Sequence, residues 1–70
     1  MRMKNLESYQ YRLLNERAEL RDRLEKLLVF THSPAYQAAP DDERERLGRQ
    51  VQHMGGYLGV LNERIEAIEA

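Results

Sequence analysis

Leu47, Val51, Met54, Leu58, Leu61, Ile65 and Ile68 alternate at spacings of four and three residues without a miss. An α-helix turns once every 3.6 residues, so a helix places all of these side chains on one stripe. Such a stripe is a coiled-coil seam running over three heptads, and a seam needs another helix to cover it. The chain carries one upstream. Leu6, Leu13, Leu20 and Leu27 recur every seven residues, and Leu14, Leu24, Leu28 and Phe30 widen that stripe toward its C-terminal end.

The segment from Met3 to Thr31 contains neither Gly nor Pro and consists mostly of good helix formers. Glu19/Arg23 and Asp22/Lys26 stand four apart, where opposite charges support a helix by a few tenths of a kcal/mol. The residue before a proline avoids helical geometry, so His32-Ser33-Pro34 ends the segment. Ser33 and Pro34 then serve as N-cap and first position of a short helical turn, Pro34–Ala38. Pro40 opens the second long helix, with Asp41, Asp42 and Glu43 set favourably against its positive dipole end. The expected fold is all-α: one domain, residues 1–70, forming an antiparallel two-helix hairpin. Its first helix covers about 3–31, its turn 32–39, and its second helix about 40–69.

A hairpin shields only one side of each helix. Full burial of a Leu or Ile side chain contributes about 1.5–3 kcal/mol, while ordering each residue costs about 1.5 kcal/mol. The seam cannot offset that cost for a chain of 70 residues, and with no cysteine there is no disulfide or thiolate metal site to help. Hairpins must therefore pack on hairpins, and the expected species is an obligate oligomer.

Charge narrows the partners. Eleven basic residues face twelve acidic ones, so no net field favours polymeric nucleic acid or an anionic membrane. The chain has no apolar run of transmembrane length and its N-terminus lacks a signal-peptide core, which predicts a cytoplasmic protein. Catalysis finds little support. His32 and His53 belong to no metal or nucleophile motif, Ser8 and Ser33 have no recognisable activating partner, and no glycine-rich phosphate loop follows a strand. The expectation is a binding module with no cofactor and no metal.

Three features depart from a plain coiled coil. Gly55, Gly56 and Gly59 interrupt the seam helix at about 1 kcal/mol each relative to Ala, yet the seam keeps its phase on both sides. Close packing of a neighbouring helix and a ligand lying on bare backbone both explain them. Tyrosine is over-represented, with Tyr9, Tyr11, Tyr36 and Tyr57 against one Phe and no Trp. A tyrosine ring offers a flat face to a nucleobase and a hydroxyl for orientation. Tyr9 and Tyr11 stand about 200° apart around a helix, so both cannot face the core. Tyr57 adjoins the glycines, where it either fills the space they leave or stands free. Near these aromatics lie Arg12, Arg17, Lys26 and Arg64, each either a solvated helix residue or a phosphate contact. Glu16 and Arg17 put a polar step between Leu13 and Leu20, a candidate for an inter-subunit ion pair.

Taken in order, Tyr9-Gln10-x-Arg12, Glu16-Arg17-Ala18-Glu19-Leu20, Leu24-Glu25-Lys26-Leu27 and Phe30 resemble a known family. The likeness continues through Ser33, Pro40, Glu45-Arg46-Leu47, Gln50, Met54, Tyr57, Leu61 and Glu63-Arg64-Ile65. The family is the small phage anti-CBASS proteins with an anti-CBASS, anti-Thoeris-type helical hairpin domain. The resemblance implies a non-catalytic oligomer, commonly a hexamer, that sequesters cyclic dinucleotides and in some members cyclic trinucleotides. It further implies a dinucleotide pocket lined by a first-helix tyrosine, here Tyr11 or Tyr9, and by Lys26, with Arg12 nearby. Arg64 matches the arginine that contacts a trinucleotide. Arg17 stands where a lysine is expected, and Gly55-Gly56 departs from the family's pattern. The competing reading is a coiled-coil adaptor or inhibitor that docks on a host protein.

Overall fold

A computed structural model describes residues 7–69. Three helices follow one another: α1 (Ser8–Phe30), α2 (Pro34–Ala38) and α3 (Asp41–Glu69). The two long helices pack against each other as an antiparallel hairpin, and the molecule measures 49 × 16 × 16 Å.

α1 opens at Ser8. Glu7 before it is extended (φ −71°, ψ 162°), and its N–H donates to the Gln10 Oε1 at 2.6 Å, which satisfies a donor the helix start would otherwise leave open. The expected start at residue 3, like the first seam position Leu6, lies outside the described residues.

The turn is built by short polar side chains. The Thr31 hydroxyl donates to the Leu28 carbonyl at 2.7 Å, and the His32 Nδ1 lies 2.9 Å from the same oxygen. The Ser33 hydroxyl accepts from the Tyr36 N–H at 3.2 Å and donates to the Phe30 carbonyl at 2.6 Å, so one residue caps both the end of α1 and the start of α2. Pro34 occupies the first turn of α2, where its missing N–H costs nothing. Pro40 differs slightly from expectation, standing just before α3 rather than in it. Its carbonyl accepts from the Glu43 and Arg44 N–H groups, both at 3.0 Å. The Arg44 guanidinium closes the loop, donating to the Gln37 and Ala39 carbonyls at 2.9 and 2.8 Å and pairing with Asp41.

Both seams face inward. Leu13 and Leu20 of α1 meet Leu61 and Ile65 of α3 as the buried core, with Leu14, Met54, Leu58 and Ile68 packed around it. Leu24, Leu27, Leu47 and Val51 continue the interface toward the turn but stay half-buried, because one opposing helix cannot enclose them. The polar step in α1 has an intramolecular partner: Arg17 donates to Asn62 Oδ1 at 3.2 Å across the hairpin. That bond ties the two helices at one level. Asp22/Lys26 forms the expected i,i+4 pair at 3.0 Å.

α3 runs unbroken through its glycines, none of which has a positive φ. The position a Cβ would take at Gly55, Gly56 or Gly59 has no neighbour within 4 Å in the chain. None of the three is required by the hairpin itself. Alanine at any of them is expected to stabilise the helix, by up to about 1 kcal/mol each, read as a higher melting midpoint. A substitution that instead lowers oligomer size or ligand affinity would mark a contact with a second chain or a ligand at that glycine.

Candidate ligand-binding surfaces

The expected site residues sit on the two long helices, all exposed. Tyr9, Tyr11 and Arg12 occupy the first turns of α1 and Lys26 its last third, while Arg64 belongs to the final third of α3. Both tyrosines face out, Tyr9 at 52% and Tyr11 at 48% exposure, where only one was required to. Tyr11 stands about 200° around α1 from the buried Leu13, so it faces away from the seam. Tyr9 lies beyond the last buried layer of Leu13 and Ile65.

The same register sorts the cations. Counting from the Arg17–Asn62 bond, Arg64 lies level with Asn15, about 6 Å along the axis from Tyr11. Lys26 is fifteen positions from Tyr11 on one continuous helix, about 22 Å away. The hairpin therefore gathers Tyr9, Tyr11, Arg12 and Arg64 toward one end and leaves Lys26 toward the other.

Lys26 lines a shallow surface groove with Asp22, Glu25 and Val29. Its ammonium group bonds to Asp22, and the side chain is 77% exposed. Two carboxylates against one ammonium give this groove no attraction for an anion. A phosphate there needs further positive charge from elsewhere. Residue patterning flagged Asp22 as the i,i+4 partner of Lys26 but not Glu25 or Val29, although Val29 stands three residues on from Lys26, on the same side of the helix.

Residues 7–67 match the family model described as Sequestin. The chain belongs to the Sequestin family. Sequestin is the phage anti-CBASS cyclic-nucleotide sponge family, the one that the order of Tyr, Lys, Phe, Pro and Arg-Ile resembles. It sequesters ligands rather than transforming them. No curated protein and no solved structure matches the chain. For this Sequestin, no helix among the described residues is long and apolar enough to cross a membrane.

Proposed function

We propose that this Sequestin binds cyclic oligonucleotide second messengers and holds them without cleavage, so that a CBASS effector in the host cytoplasm is starved of its signal. The family match supports the ligand class. The separation of Tyr11 and Lys26 along one continuous α1 carries the mechanism. A cyclic dinucleotide is too compact to touch both residues of one chain at about 22 Å. Two α1 helices running antiparallel bring Tyr11 and Arg12 of the partner subunit level with Lys26 and Glu25. Tyr11 then stacks on a base, while Lys26 and the partner subunit's Arg12 offset the carboxylates of the groove and meet phosphate. Tyr9 contributes at the rim, and Arg64 serves a separate cyclic trinucleotide. Assembly is intrinsic to this reading. The four buried side chains among the described residues are too few to stabilise one hairpin alone, and a hexamer is the favoured count.

A second reading has an observation of its own. Leu28, Val29 and Phe30 leave apolar side chains exposed around the last turn of α1, with Val29 at 73%, and an adaptor or inhibitor of a host protein would use such surface. A thermal-shift screen against cyclic di- and trinucleotides separates the two. A ligand that binds only the folded oligomer stabilises it by about 2.7 kcal/mol at a hundredfold excess over the dissociation constant. The expected result is a raised midpoint with at least one cyclic oligonucleotide. An unmoved midpoint across the panel favours the adaptor.

A further inference from the structure

Residues 46–62, in the middle of α3, form the longest stretch of the sequence without Asp or Glu. Along this stretch Arg49, His53, Gly56, Tyr57 and Val60 follow one another at spacings of three, four or one, so they share one flank of the helix. All five are exposed, Tyr57 at 46% and Val60 at 52%. Among the described residues the side chains of Arg49, His53 and Tyr57 make no hydrogen bond or ion pair, whereas Arg44 and Arg46 of the same helix are tied to carboxylates. Beside Tyr57, the position of a Gly56 Cβ is open, so a flat group can approach the backbone there.

We propose that this flank of α3 is a second ligand surface that takes a single base–phosphate unit. The base stacks on the Tyr57 ring over the bare backbone of Gly56, with Val60 as its apolar border. The phosphate lies toward His53 and Arg49, which donate to it. The axial spacing suits such a unit: His53 is about 6 Å and Arg49 about 12 Å from Tyr57, within reach of their side chains. Glu45 stands one turn before Arg49 but forms no ion pair with it among the described residues, whereas Lys26 is bonded directly to Asp22, which supports an anion here more than at Lys26. One helix supplies every contact, so this surface needs no residue from a second protomer. It rests on the sponge reading only for the expectation that the ligand is a nucleotide.

The unit can be free or part of a cyclic oligonucleotide, and the test separates these. Full-length protein is titrated with AMP in one arm and cyclic triadenylate in the other, while the ring resonances of Tyr57 and His53 are followed by NMR. Both rings are expected to shift saturably in at least one arm. Tyr57→Leu, which keeps apolar bulk, and Arg49→Gln are each expected to weaken that binding at least tenfold at unchanged oligomer mass. Lys26→Ala is expected to leave it intact. Saturation with AMP identifies a free nucleotide as sufficient, and saturation with the cyclic ligand alone identifies the unit as ring-borne. Rings that stay still in both arms overturn the proposal, as does a Tyr57→Leu protein that binds normally but changes oligomer mass. The second outcome would make the flank an interface between copies. Neither failure touches the Tyr11–Lys26 reading, which is tested by cyclic dinucleotide binding to Lys26→Ala.

Discussion

Leu61→Asp is expected to leave the chain unfolded and unassembled. Leu61 is the most deeply buried side chain of the hairpin, fully enclosed between the seams. Removing a buried leucine costs about 2–5 kcal/mol, and the carboxylate put in its place has no partner in an apolar layer of Leu13, Leu20 and Ile65. A domain of this size holds only about 3–5 kcal/mol of stability from its own core, so the loss exceeds what is available. Circular dichroism reads the missing helix, and sedimentation reads the missing multimer. The wild-type protein should sediment as a multimer at micromolar concentration. A wild-type monomer that melts cooperatively would contradict the argument that hairpins must pack on hairpins. Val60→Asp is the control, one position away and 52% exposed; it should keep its helix.

Lys26→Ala should remove most of the affinity for cyclic dinucleotides and leave fold and assembly alone. The side chain adds no buried apolar area, and its bond to Asp22 joins two largely exposed groups, an arrangement that contributes little to stability. On the proposed reading its role is in the ligand complex. A charge-assisted hydrogen bond to phosphate contributes about 1.5–3 kcal/mol, so calorimetry should show affinity falling roughly tenfold to a hundredfold. Asp22→Asn is an informative companion. It removes one of the two carboxylates beside Lys26, so it should strengthen the same binding. Unchanged affinity in Lys26→Ala would remove the pocket from this end of α1, and the sponge reading would then rest on Arg64.

The architecture was legible in the residues because each element carries its own local cause. The four-and-three alternation from Leu47 to Ile68 fixed α3 through its glycines. Ser33 and Pro34 announced α2, since a hydroxyl that can accept from the third N–H and a ring that lacks one suit only a helix start. The family, too, was visible in the order of residues along both helices. What only the tertiary structure decided is level and side: which residues of the two helices stand opposite each other, and which way a flank points once the seams are closed. Arg17 meets Asn62 within the chain because the antiparallel register puts an amide opposite it. Tyr9 and Tyr11 are both about half exposed, Tyr11 because it points away from the seam and Tyr9 because it lies beyond the last buried layer. The flank of Arg49, His53 and Tyr57 stood out only when neighbouring cations proved to be tied to carboxylates and these proved not to be. Periodicity determines which face of a helix is apolar, whereas the pairing of that face with another sets every longitudinal distance on the molecule.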